Sequence, residues 1–132
     1  MAENEPAEQI RILVVEDERD VLEPTRLLLQ GCGYDVTGSA SAEEAYRYFE
    51  SIHPQVLVVD YKLPGMNGMD FLRHAKTANP QVSAIVITGL MPQLSSIEAQ
   101  AQEMGVTVLR KPVRVEELQK AIEEVVSRHP GA

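Results

Sequence analysis

Val56-Leu57-Val58-Val59-Asp60-Tyr61-Lys62-Leu63-Pro64-Gly65 runs four apolar residues into a carboxylate and then into turn-forming residues. A short apolar run bounded by loop residues has the form of a strand buried on both faces of a parallel sheet. Three other stretches repeat it. Ile10–Val15 ends at Glu16-Asp17, Val82–Ile87 ends at Thr88, and Val106–Leu109 leads to Lys111-Pro112. Side by side in one sheet, these runs bring three acids, a hydroxyl and an amine to its C-terminal edge, where open α/β sheets place their chemistry.

The segments between the runs have helical periodicity. Asp20 and Glu23 stand at capping-box spacing, with Val21, Leu22, Leu27, Leu28 and Leu29 as the apolar face of a first helix. Pro24 is tolerated in or near a first turn and implies a kink if it lies deeper, while Gly31 and Gly33 offer stops. Tyr34–Gly38 is the expected second strand. Ser41 and Glu44 open a second helix with Ala45, Tyr48, Phe49 and Ile52 inward. Tyr61–Asn67, with Pro64, Gly65 and the following Gly68, reads as loop. A third helix is expected over Met69–Ala78, a fourth from Pro92 to Met104, and a fifth over Val115–Ser127 with Val115, Leu118, Ile122, Val125 and Val126 at helical spacing.

Strands alternating with helices throughout give a (βα)5 α/β fold, a doubly wound five-stranded parallel sheet with helices on both faces. Right-handed crossovers and strand order 2-1-3-4-5 put strands 1 and 3 together at the switch point. Glu16, Asp17 and Asp60 then meet in the crevice.

The chain has 132 residues, enough for one domain with a proper core. The expected organisation is a disordered tail at residues 1–9, a domain at 10–128 and a short tail at 129–132. A net charge of −8 with no basic stripe argues against nucleic-acid binding. The single cysteine, Cys32, excludes an internal disulfide framework and reads as a turn residue between glycines. No apolar run approaches the ~18 residues that span a membrane, and Met1–Gln9 lacks the form of a signal peptide. The simplest location is the cytoplasm. His53, His74 and His129 lack metal-ligand spacing, and Met66 and Met69 read as packing residues.

Three carboxylates at one edge repel. Two unit charges ~4 Å apart interact by about 4 kcal/mol at an effective dielectric of about 20. A hard divalent cation removes that repulsion, and Mg2+ suits a site of one or two carboxylates plus waters and phosphate oxygens. Asp17 and Asp60 are the expected direct ligands, with Glu16 acting through water. A carboxylate beside such an ion can act as a nucleophile toward phosphorus. Thr88 can then hydrogen-bond one phosphoryl oxygen while Lys111 offsets the charge on another. The bland reading takes the acids as helix caps and solvated charges, Thr88 as a strand end and Lys111 as a surface lysine; their positions at consecutive strand ends favour the joint reading.

The motif set Val14-Val15-Glu16-Asp17-Glu18, Val58-Val59-Asp60-Tyr61-Lys62-Leu63-Pro64-Gly65-Met66-Asn67-Gly68, Ile87-Thr88-Gly89 and Lys111-Pro112 resembles the receiver domain of two-component response regulators, over Gln9–Arg128. The resemblance implies a flavodoxin-like receiver fold. It implies that Asp60 takes a phosphoryl group from a histidine kinase or histidine phosphotransfer protein in a Mg2+-dependent reaction. It also implies Glu16, Asp17, Asp60 and the backbone carbonyl of Lys62 as metal ligands, with Thr88 the switch hydroxyl and Lys111 the phosphate-pairing lysine. Pro112 matches a proline usually preceded by a cis peptide, and the output surface is the fourth helix, fifth strand and fifth helix. Such a domain is a phosphoacceptor that assists only its own phosphorylation and dephosphorylation, and it passes the signal to an effector protein or a fused output domain. A homodimer is compatible.

Three positions depart from the family's pattern. Val108 stands where an aromatic is usual, which removes the aromatic rotamer switch; Glu16-Asp17 replaces the commoner pair of aspartates; Gly89 replaces a common alanine. The rival within this fold is a receiver-like interaction domain that does not turn over phosphate. A haloacid-dehalogenase-type phosphohydrolase needs its nucleophile on the first strand, and a flavodoxin needs a phosphate loop where Glu16-Asp17-Glu18 stands. No output domain is read in the chain, which fits a stand-alone receiver and a segment of a longer protein equally.

Overall fold

The structure, a computed structural model, describes residues 9–89 and 94–128. The predicted start of the fourth helix at Pro92, most of the N-terminal tail, and the C-terminal tail with His129 lie outside the described residues. Five strands, β1 (Arg11–Val15), β2 (Asp35–Ser39), β3 (Val56–Asp60), β6 (Ser83–Thr88) and β7 (Thr107–Arg110), form one parallel sheet in the order β2-β1-β3-β6-β7. With only these strands counted, that is the expected 2-1-3-4-5. The remaining two, β4 (Lys62–Leu63) and β5 (Met66–Asn67), pair antiparallel after β3.

The core has two halves because side chains alternate across a strand. Leu13, Val15, Leu57, Val59, Ala84 and Val86 pack under α2 (Ala42–Ile52), α3 (Gly68–Ala78) and α4 (Leu94–Met104). Ile12, Val14, Val56, Val58 and Ile85 face the other way, under α1 (Arg19–Gly31) and α5 (Val115–Arg128). The sheet is buried on both faces, so its central strands read as apolar runs rather than alternating ones.

The capping at Ser41 is as the spacing predicts. Its Oγ accepts from the Glu44 N–H at 3.2 Å, while Glu44 Oε1 reaches back to the Ala40 N–H at 3.3 Å. α1 departs from expectation. Its N-cap is Glu18, without a side-chain cap bond, so Asp20 lies inside the first turn and Glu23 instead pairs with Arg26 at 2.7 Å. Pro24 is within the helix, one turn deeper than the favoured position. Only Leu22 and Leu29 of its apolar residues are buried; Val21, Leu27 and Leu28 are 41%, 57% and 48% exposed. The second strand is shifted by one residue, and the expected loop after Asp60 contains the β4–β5 ladder, turned at Pro64-Gly65 with Gly65 at φ 80°.

These exposures separate neighbouring leucines. Leu29→Ala, at a fully buried position, is expected to lower stability by about 2–5 kcal/mol, whereas Leu28→Ala should change it by about 0.5 kcal/mol or less. Urea unfolding of the two variants checks this.

Candidate phosphoacceptor site

Strand register determines where the polar ends fall. Val15 pairs with Val59 and Asp60 with Ile87. Glu16 therefore emerges beside Asp60, and Thr88 one step past it on the next strand. Backbone bonds fasten each end: Glu16 N–H donates to Ser39 O at 2.9 Å, Tyr61 N–H to Ile87 O at 2.8 Å, and Lys111 N–H to Thr88 O at 2.9 Å. The last bond ties the lysine to the strand end that carries the hydroxyl.

The structure brings the predicted acids together. Glu16, Asp17 and Asp60 each present a carboxylate oxygen, all within 4.8 Å of one another, with Glu16 and Asp60 buried and Asp17 exposed. Lys111 Nζ lies 3.2 Å from Asp60 Oδ2 and 4.0 Å from Glu16 Oε1. Thr88 is buried at the end of β6. An open cleft of about 420 Å3 is lined by Asp17, Glu18, Asp60, Lys62, Leu63, Pro64 and Lys111, so Lys62 belongs to the same edge. Gly89 leaves room beside the lysine, where an added Cβ would stand 3.7 Å from Lys111 Cδ in ordinary contact. The Lys111–Pro112 peptide is cis. Val108 does not line this cleft; it is half-buried on β7, packed against the core that α4 covers, which is strand packing.

One residue is under-read in the sequence. The Glu18 N–H donates to Glu16 Oε2 at 3.1 Å, and Glu18 itself lines the cleft. Its only signal is membership of the acidic run. His53 and His74 are exposed on α2's C-terminal cap and on α3, and Cys32 caps α1 in solvent.

The electrostatics follow from burial. Burial pushes the Glu16 carboxyl up from its ordinary 4.5 to about 7, opposed by the Glu18 N–H and reinforced by the charge of Asp60. Burial pulls the Lys111 amine down, but the carboxylates of Asp60 and Glu16 outweigh it and leave it raised. The Lys111 ammonium thus faces the two buried carboxylates, Asp60 and Glu16, and burial, more than the neighbouring charges, is what raises Glu16. The donor set is all oxygen, which suits a hard divalent cation and not a soft one.

Glu16 binds its proton more tightly folded than unfolded. Its contribution to stability is therefore full below about pH 4.5 and is lost as pH rises through about 7. In EDTA the urea midpoint should fall across that window, and Glu16→Gln should flatten the fall. An identical slope in the two proteins would contradict the assignment.

The sequence profile of the response regulator receiver domain family matches residues 12–123. The regulatory protein VanRB of Enterococcus faecalis is 30% identical over 122 residues, which make up 90% of this chain and 53% of VanRB. A response regulator receiver domain protein from Clostridium thermocellum superposes with a TM-score of 0.83 at 32% identity, covering 89% of this chain and 94% of its own. A CheY-like receiver domain protein from Methanospirillum hungatei superposes with a TM-score of 0.84 at 28% identity, covering 92% and 97%. The chain spans about half the length of the curated relatives it matches, or less. Since the family match runs from the second residue of β1 into α5 and includes every strand end just described, the chain belongs to the response regulator receiver domain family.

Proposed function

We propose that this domain accepts a phosphoryl group on Asp60 and relays it as a change of conformation. The observation that carries the proposal is the setting of Asp60: a buried carboxylate, 5% exposed, with an ammonium at 3.2 Å and two further carboxylates in the same cluster. A carboxylate kept for structure alone has no use for two like charges beside it.

In the reaction, an Oδ of Asp60 attacks the phosphorus of a phosphohistidine on the opposite side from the leaving nitrogen. The P–N bond breaks, its electron pair stays on the imidazole, and an aspartyl phosphate forms. A Mg2+ ion held by Glu16, Asp17, Asp60 and the Lys62 carbonyl would supply the positive charge that lets two anions meet. Lys111 pairs with one phosphoryl oxygen, and the Thr88 hydroxyl donates to another. The charge added, roughly two units at pH 7, favours loop arrangements that bring Thr88 and Lys111 onto the phosphoryl group. The region from Thr88 through α4, β7 and α5 then forms the output surface toward an effector or a fused output domain. Val108 gives that shift a strand-packing residue in place of an aromatic one. The domain is a signalling phosphoacceptor, not a turnover enzyme, and acts in the cytoplasm.

The donor is a histidine kinase or a phosphotransfer protein. A groove of about 630 Å3 between α1 and the β7–α5 connection supports its place of docking. Glu16, Glu18 and Lys111 line it together with Val21, Leu28, Val113 and Leu118, and Lys111 Nζ is 3.2 Å from Asp60 Oδ2, so a helix docked there would bring its side chains near the phosphoacceptor.

Incubation with acetyl phosphate and Mg2+ should raise the intact mass by one phosphoryl group, and Asp60→Asn should abolish the rise. An unmodified wild-type mass would favour a receiver-like interaction domain without phosphate turnover. Leu28→Asp should slow transfer from a phosphorylated histidine donor protein by roughly tenfold or more, the scale of a lost apolar interface contact, while leaving modification by acetyl phosphate intact.

A further inference from the structure

The segment that links Asp60 to α3 is held unusually close to the strand it leaves. Tyr61 is fixed by its N–H on Ile87 O, and its own carbonyl accepts from the Gly68 N–H. Between them Lys62–Leu63 pairs with Met66–Asn67. The helix that follows starts on a well-made cap, with Asn67 Oδ1 accepting from the Asp70 N–H at 2.9 Å. The first residue of α3 is therefore pressed against the backbone of the proposed phosphoacceptor. That residue is Gly68, and it is buried.

An added Cβ at Gly68 would stand 2.5 Å from the Asp60 carbonyl oxygen and 3.0 Å from both Tyr61 Cα and Val59 Cγ1. No other described glycine is this confined. Gly38 meets only flexible side chains, at 3.0 Å and beyond, and Gly31 meets nothing within 4 Å. Gly68 is not among the glycines with positive φ, so the demand is for space and not for a left-handed backbone. The nearest obstacle is main chain, which cannot rotate away as a side-chain tip does. A methyl group at position 68 must lift α3 off the strand or displace the Asp60–Tyr61 peptide.

We infer that Gly68 is a positioning residue for the phosphoacceptor site: by having no side chain it seats the first turn of α3 on the Asp60 backbone. That seat fixes the Asp60 carboxylate and the Lys62 carbonyl relative to Glu16 and Asp17. The inference rests on the reading of this cluster as a Mg2+-dependent phosphoacceptor site. Residues that orient ligands from behind typically change metal affinity by about 10- to 100-fold when altered, and small misplacements of reacting groups have large effects on rate.

The test is the Mg2+ affinity of Gly68→Ala by calorimetry, beside wild type and Gly31→Ala, with the amide NMR spectrum confirming that each protein is folded. Gly68→Ala should bind Mg2+ about 10- to 100-fold more weakly, with amide shifts changed at Asp60–Lys62, while Gly31→Ala binds as wild type does. A purely structural role would lower the urea midpoint of Gly68→Ala and leave the Mg2+ affinity of the folded protein unchanged, and that result overturns the inference. Should Gly68→Ala fail to fold, Asn67→Ala decides. It removes the cap that holds the same turn in place, and weakened Mg2+ binding supports the inference while wild-type binding overturns it. If wild type itself takes up no Mg2+ and no phosphoryl group, the functional reading has failed, an outcome distinct from a wild type that binds Mg2+ beside an equally competent Gly68→Ala.

Discussion

Repulsion among Glu16, Asp17 and Asp60 is the constraint on which the site depends. Their oxygens lie within 4.8 Å of one another, two of the three groups are buried, and the ammonium of Lys111 stands within 4.0 Å of both buried ones. Burial raises the Glu16 carboxyl to about 7, so it takes up a proton more readily than an ordinary carboxylate does. On the function proposed above, a divalent cation would neutralise the acids, and a phosphoryl group would offer Lys111 and Thr88 new oxygens to pair with. The proposed metal binding and response to modification both draw on this one arrangement of charges.

The fold makes the cluster unavoidable. A doubly wound parallel sheet ends all its strands on one edge, and the order β2-β1-β3-β6-β7 places the ends of β1 and β3 side by side at the switch point. Register then sets the finer geometry, pairing Val15 with Val59 so that Glu16 and Asp60 emerge together, and Thr88 with Arg110 so that Lys111 follows directly. Backbone bonds from Tyr61 to Ile87 and from Lys111 to Thr88 brace the edge from behind.

Much of this was legible in the chain because strands buried on both faces write themselves as apolar runs, and those runs stop at the residues that matter. The helix α2 was legible through Ser41 and Glu44, whose capping is local. The existence of α1 is legible in the chain, but its start and its buried face are not. Val21, Leu27 and Leu28 are apolar without being core, Val21 and Leu28 facing a groove beside the site, and only the tertiary arrangement distinguishes them from Leu22 and Leu29. The β4–β5 ladder is too short to leave a periodic signal. The confinement of Gly68 is invisible for a related reason: a glycine in a turn-rich stretch looks like any other until the Asp60 carbonyl is found where its side chain would be.

The central claim is that this cluster of acids is built to hold a hard cation. Titration of the wild-type domain with Mg2+ in a calorimeter at neutral pH tests it most directly, with Asp17→Asn as the comparison. One ion bound per chain, with proton release from Glu16 and a clear loss of affinity in Asp17→Asn, is the predicted result. No uptake by a correctly folded wild-type domain would contradict the account.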